Sequence, residues 1–362
     1  MRFKDKYISF FRRGACLLLA ACLSLGALSG CALMVSEKEG TEIIMDTIVT
    51  INIAAKAERI VYDAEDQGGS KSFFWDRAYD IYHELIGLGK DLEKKELSRF
   101  EPESEIYKIN ASAGDPEGYP LSEEMEEILK TCLEISDKTD GAFDISIGAL
   151  IDLWNIEGAV KEESEFRVPS GEEIKKALSK CGYEKIKIDN HRIFIPEGMI
   201  LDLGAVGKGI YLDRTGIRED DILRGTVSAG GSIRTIGSKP DGKPWYIAIT
   251  DPFKKGTSIT MTPVTGDALV STSGNYERYI DLDGTRYHHI LDPATGKCAD
   301  SGFVSVTVIL PEKEGERRGL LTDALSTAIF ILGEDFGEKV VKEHGAKVIM
   351  IRDDGEIVEF GN

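Results

Sequence analysis

From Lys185 to Leu310 the sequence breaks into short apolar runs separated by turn residues, among them Asn190, Asp241-Gly242 and Asp283-Gly284. Runs of that length with Asn, Asp and Gly between them predict strands joined by tight turns. A strongly apolar helix is expected just beyond, from Gly319 to Leu332. A doubly wound sheet needs strands and helices in regular alternation, and that alternation is missing. The expected class is therefore α+β, with mixed sheets and flanking helices.

The rest of the chain supplies further elements. Ile43 to Ile53 alternates apolar and polar residues and predicts one strand. Lys56 to Ser72 is polar and carries Gly and Ser, so a loop insertion is expected. Tyr79, Tyr82, Leu85, Ile86 and Leu92 space an amphipathic helix between Phe74 and Glu96. Ser122 opens a helix whose first turn carries Glu123 and Glu124, where acids suit the dipole. Ser170 and Glu173 form a capping box for a helix that Gly182 would close. Lys347 to Glu359 reads as a hairpin turning at Asp354-Gly355.

The N-terminus reads as an address. Arg2, Lys4, Lys6, Arg12 and Arg13 precede an apolar, small-residue run from Ala15 to Ala27. Leu28-Ser29-Gly30-Cys31 follows as a lipobox, with cleavage before Cys31 and lipid on its thiol. The run is shorter than the roughly 20 residues that an uncleaved anchor helix needs. Residues 1–30 are thus expected to be a signal peptide, 31–42 a tether and 43–362 the working domain. Lipid on Cys31 would hold that domain at the outer face of the cytoplasmic membrane. Losing the basic leader would take the net charge from −19 to −23. So acidic a chain has no basic stripe for nucleic acid. Cys132, Cys181 and Cys298 are widely spaced, with no C-x-x-C to suggest a thiolate zinc site or a redox pair; Cys132 falls on an apolar helix face and reads as core.

The chemistry-bearing residues are few. Gly204-Ala205-Val206-Gly207-Lys208-Gly209 has only two residues between its first glycines and no Ser or Thr after the lysine, so it is not a Walker A loop. Its glycines allow close backbone approach, and Lys208 could meet a phosphate or merely open a helix in solvent. Asp323 and Thr327 stand four apart and share one helix face. They could offer hard oxygens to Mg²⁺, or Asp323 could cap the helix while Thr327 bonds back to a carbonyl. Only five histidines occur, and His288-His289 precedes Ile-Leu-Asp292-Pro. In a strand the two rings face opposite sides, so one can pack while the other enters the site as a general base, the alternative being a hydrogen-bonded turn residue. Asp292 and Thr295 are expected to brace the following turn. Gly230-Gly231 and Thr272-Ser273-Gly274 can each shape a pocket for phosphate or a ring edge, or form a bulge. Trp154 could stack on a ring or lie in the core.

Four blocks in order, Leu201–Asp213, Val227–Gly237, Ser271–Gly296 and Thr322–Gly333, make the chain resemble the ApbE family, the FAD:protein FMN transferases. Met45-Asp46-Thr47 matches the family's Met-x-Thr, with Asp46 where many members carry Gly. Ser98-Arg99-Phe100 and Thr139 to Asn155 also fit family segments. The resemblance implies an ApbE-like fold, FAD as substrate and Mg²⁺ held by the Ala205 carbonyl, Asp323 and Thr327. It places the implicated histidine at 289 and Lys208 near the site. It further implies a flavin pocket using Met45, Thr47, Gly230, Gly231, Thr272, Ser273, Gly274 and His289. The expected reaction transfers FMN to a Ser or Thr hydroxyl of an acceptor protein and releases AMP. The same residues would serve a metal-dependent FAD pyrophosphatase, and a non-enzymatic flavin-binding lipoprotein is a third reading.

Overall fold

The computed structural model describes residues 34–64, 69–216, 222–313 and 315–361. The expected signal peptide and Cys31 lie outside the described residues. Among the described residues no helix is long and apolar enough to cross a membrane.

The chain opens with β1 (Val35–Ile44) and β2 (Thr47–Lys56), then β3 (Glu58–Ala64), β4 (Gly69–Trp75) and helix α1 (Arg77–Leu92). A second segment holds α2 (Glu105–Ala111), β5 (Tyr119–Pro120), α3 (Glu123–Lys138), α4 (Gly148–Trp154), α5 (Ile156–Val160), α6 (Gly171–Leu178), β6 (Lys187–Asp189) and β7 (Arg192–Phe194). Helix α7 (Gly207–Thr215) leads into β8 (Ile222–Ala229), β9 (Ser232–Ile236), β10 (Trp245–Thr250), β11 (Ser258–Val264) and β12 (Ala268–Gly274). Next come β13 (Tyr279–Leu282), β14 (Thr285–His288), β15 (Leu291–Asp292), β16 (Lys297–Cys298) and β17 (Phe303–Pro311). The chain ends with α8 (Arg318–Leu332), α9 (Glu334–His344), β18 (Lys347–Arg352) and β19 (Ile357–Phe360).

An eight-stranded sheet in the order β1-β2-β8-β9-β12-β17-β18-β19 forms the frame, and every neighbouring pair in it is antiparallel. Helices α1, α7 and α8 cover one face, where Val49, Ile51 and Ile53 meet Ile81, Leu85, Tyr211 and Ala324. The β10–β11 hairpin covers part of the other face through Ile247, Ile249 and Val264, packed against Val270, Ile309 and Ile351. Strands covered on both faces bury successive residues, and β17 accordingly is buried at every position from Ser305 to Leu310. The α+β expectation holds.

Several boundaries move. The strand expected from Ile43 to Ile53 is two strands, folded at Met45-Asp46 with φ of 53° at both residues. Two successive left-handed residues make the turn whose twist matches a hairpin, and here they are built without glycine. The expected tether is mostly β1, which begins at Val35 and pairs with β2 throughout. Its V-S-E-K-E-G-T-E is polar because it is the sheet's edge strand, and charge there discourages edge pairing. The loop expected from Lys56 to Ser72 is instead the end of β2 and most of the β3–β4 hairpin, which runs on to Trp75. Helix α1 starts at Arg77 behind an Asp76 cap and ends in a π-turn at Glu93–Leu97. The Ser170–Glu173 capping box is present, but α6 stops at Leu178, and Gly182 opens a 3₁₀ turn instead. The helix capped by Ser122, the apolar α8 and the terminal hairpin stand as expected.

Helices α7 and α8 cap each other. Asp213, at the end of α7, accepts from the Gly319 and Leu320 amides at the start of α8, at 2.5 and 2.9 Å. Asp323 on α8 accepts from the Gly209 amide in the first turn of α7, at 2.7 Å. The helices touch at two glycines. A Cβ on Gly209 would lie 2.1 Å from the Gly319 carbonyl oxygen. Backbone cannot yield as a side chain would, so Gly209→Ala is expected to cost about 3 kcal/mol or more. An unchanged urea midpoint for that variant would show that the helices can part freely.

Candidate active site

The four sequence blocks converge where α7 and α8 meet the ends of β2, β9 and β12. Val206, just before α7, provides no side-chain cap, and Asp323 supplies the missing acceptor from α8. Its other oxygen accepts from Ser232 at 2.7 Å and from Ser271. Ser232 and Ser271 are direct cross-strand partners, so register delivers both hydroxyls to one carboxylate. Asp323 therefore caps a neighbouring helix and not its own. Thr327 bonds back to the Asp323 carbonyl at 3.3 Å, and its hydroxyl is 3.3 Å from Ser273, which also meets Ser326 at 2.9 Å. Two hydroxyls thus hold the buried carboxylate, while those of Ser273, Ser326 and Thr327 cluster beside its backbone carbonyl.

The glycine segments have distinct jobs. Gly230-Gly231 is the two-residue turn between β8 and β9, and not a bulge. Gly230 has φ of 56°, and a Cβ there would sit 2.6 Å from the Thr47 hydroxyl and 3.7 Å from Lys208 Cδ. Thr47, Gly230 and Lys208 are therefore neighbours. A Cβ on Gly231 would meet the Glu277 carboxylate and the Thr272 carbonyl at 3.1 Å. Thr272, Ser273 and Gly274 lie within β12, paired to β17, and Gly274 leaves room for the Tyr276 ring. Met45 packs against the core and donates its amide to Glu93 at 3.0 Å, so its part is to shape the turn that carries Thr47.

The two histidines separate as strand alternation requires. His288 is buried against Phe330, its Nε2 is 3.1 Å from the Ala299 carbonyl, and burial pushes its pKa down to about 4. His289 turns the other way. Its backbone amide donates to the Arg278 carbonyl at 3.2 Å, and its Nδ1 lies 3.3 Å from the same oxygen. A carbonyl only accepts, so Nδ1 carries the proton and Nε2 keeps a bare lone pair. Burial, then the charges of Arg278 and Lys208, push the His289 pKa down to about 3. The ring is neutral at physiological pH.

Lys208 is opposed by Glu277. Local desolvation holds the carboxyl of the solvent-exposed Glu277 above the usual range, while Lys208 and Arg278 pull it down and Asp323 pushes it up. Neither Glu277 nor Arg278 stood out in the sequence. Both lie in the Ser271–Gly296 block beside the recognised residues, and only folding shows that they face Lys208 and His289. Arg99 pairs with Asp202 and Asp152, each at 2.7 Å, bracing the Gly204–Gly207 turn, while Phe100 is exposed. Trp154 is core: it is buried and donates to the Gly296 carbonyl at 2.8 Å. That oxygen belongs to the turn braced by Asp292, which accepts from Ala294 and Thr295. Cys132 is buried core as expected.

The donor set suits a small hard cation. Asp323 Oδ2 accepts one amide bond and retains a second lone pair, and Thr327 offers a hydroxyl oxygen beside it. Ala205 lies in the turn leading into α7, outside that helix. Among the described residues no group of three or more His, Cys, Asp and Glu could hold a metal ion. One carboxylate with neutral oxygens is the kind of set that Mg²⁺ uses when phosphates and waters complete its shell.

Comparison with known proteins agrees with this arrangement. Residues 45–350 match the sequence profile of the ApbE family. The FAD:protein FMN transferase of Escherichia coli K12 is 33% identical over 281 residues, which span 75% of this chain and 77% of that protein. The transferase of Treponema pallidum is 31% identical over 268 residues, 68% of this chain and 70% of its own. Among solved structures, the ApbE protein of Thermotoga maritima superposes with a TM-score of 0.74 at 31% identity, covering 89% of this chain and 96% of its own. The flavin transferase ApbE of Vibrio cholerae gives a TM-score of 0.71 at 26% identity, covering 90% and 97%. With its profile match, its relatives and its fold in agreement, this chain belongs to the ApbE family.

Proposed function

We propose that this chain is a flavin transferase that moves FMN from FAD to a Ser or Thr hydroxyl of an acceptor protein and releases AMP. The observation that carries the reading is the meeting of a neutral imidazole, His289, with the cations Lys208 and Arg278 beside the Asp323 oxygen cluster. Phosphoryl transfer asks for positioning and charge stabilisation more than for a covalent nucleophile. His289 Nε2 takes the proton of the acceptor hydroxyl, and the hydroxyl oxygen forms a bond to the FMN phosphorus. The P–O bond to the AMP side breaks, and AMP leaves with the bridging oxygen. Lys208 offsets charge on the diphosphate, and the Gly230-Gly231 turn leaves room for it. Bound Mg²⁺, held by Asp323, Thr327 and the Ala205 carbonyl, would supply charge neutralisation at the diphosphate.

We also propose that Cys31 is lipidated and that the enzyme works outside the cytoplasmic membrane. Purified full-length protein, given FAD, Mg²⁺ and a candidate acceptor domain, should release AMP and add the mass of FMN to one Ser or Thr peptide. AMP with free FMN and an unmodified acceptor would make the protein a pyrophosphatase instead. FAD bound without AMP, with or without acceptor, would reduce it to a flavin-binding protein.

A further inference from the structure

Arg278 stands out because its two ends do different things. Its backbone carbonyl fixes the proton on His289 Nδ1, while its guanidinium pairs with Glu157 of α5 at 3.0 Å. Glu157 is shared, for Lys161 also reaches it at 3.0 Å, and Lys161 goes on to Asp46 in the first hairpin turn at 3.2 Å. Asp46, Lys161, Glu157 and Arg278 thus form a line of alternating charge from the Met45–Thr47 turn to the residue whose carbonyl holds His289.

We propose that Arg278 is a second phosphate-binding cation of this site, parked on Glu157 until the diphosphate of FAD displaces that carboxylate. The inference rests on the reading of the site as an FAD site. Three observations and one chemical match carry it. The Arg278–Glu157 pair is partly exposed, at 39% and 42%, and exposed pairs contribute only about 0–1 kcal/mol, so the exchange is cheap. Glu157 would keep Lys161 as its partner after displacement, so no charge is stranded. A guanidinium matches two phosphate oxygens at once, a geometry that carboxylate and phosphate share. Finally, the charges of Arg278 and Lys208 both act on the His289 ring, so both cations lie near the reaction centre. The nearby Glu277 offsets part of the Lys208 charge, so a dianionic diphosphate can use a further protein cation.

The test measures equilibrium binding of FAD and of riboflavin, which lacks phosphate, to the full-length protein at low salt without divalent metal. Arg278→Gln is expected to weaken FAD binding about tenfold and leave riboflavin binding unchanged. Glu157→Gln removes a competitor for the guanidinium and is expected to bind FAD about threefold tighter than wild type. The proposal fails if Arg278→Gln binds FAD normally, or if riboflavin binding falls in parallel, which would mark a packing role. It fails equally if Glu157→Gln weakens FAD binding as Arg278→Gln does, since the pair would then be a structural tie. AMP release is measured separately. Wild type that binds FAD without releasing AMP would end the transferase reading and leave the arginine to be judged on binding alone.

Discussion

His289→Ala is expected to lower kcat for FMN transfer by roughly 10²–10⁴-fold, the usual worth of a positioned general base. FAD affinity should stay near wild type if the ring acts, as proposed, on the acceptor hydroxyl rather than on the dinucleotide. The pH profile makes the claim sharper. His289 is active when neutral, and its pKa is pushed down to about 3 by burial and by Arg278 and Lys208. Activity is therefore retained above that value and lost only as pH falls toward it, well below the ordinary histidine range. A bound diphosphate screens those two cations and favours imidazolium, so the acid limb of kcat should lie at higher pH than that of kcat/KM. An acid limb in kcat/KM at the ordinary histidine value, surviving in His289→Ala, would assign the base to another group.

Asp323→Ala is expected to remove activity and about 2–4 kcal/mol of stability together, because it uncaps α7 and strands the hydroxyls of Ser232 and Ser271. Asp323→Asn separates the two effects. Its amide oxygen can still accept from Gly209, and the two serines can rotate to accept from its nitrogen. Most of the stability should remain, while the lost negative charge weakens Mg²⁺ binding and lowers the rate by roughly 100-fold or more. Thermal melts and Mg²⁺ titrations of AMP release measure the two arms. An Asn variant with normal Mg²⁺ dependence would leave Asp323 a capping residue only.

How much of this was legible depended on the range of the signal. Capping at Ser122 and Ser170 is written within four residues, and it was read correctly. The fold at Met45-Asp46 carries no glycine, and apolar alternation runs straight through it, so one strand was read where two stand. The edge strand β1 resembled a tether because edges are kept polar. Asp323 and Thr327 were identified as a pair sharing a helix face, but the capped helix and the two serines lie 114, 91 and 52 residues away in sequence. No local pattern encodes contacts of that length. Glu277 and Arg278 were in plain view and meant nothing until β13 and β14 placed them opposite Lys208 and His289.

The exchanged caps of α7 and α8 bear on how the catalytic centre comes into being. Neither helix can satisfy its first amides from its own sequence, since each borrows a carboxylate from the other across more than a hundred residues. A half-built site, with α7 docked and α8 loose, would leave buried donors without acceptors on both sides. Lys208 and Asp323 should therefore be assembled or lost in one step. In hydrogen exchange the amides of Gly209, Gly319 and Leu320 would share a single opening free energy, and a chain in which one is labile would have no active site to regulate.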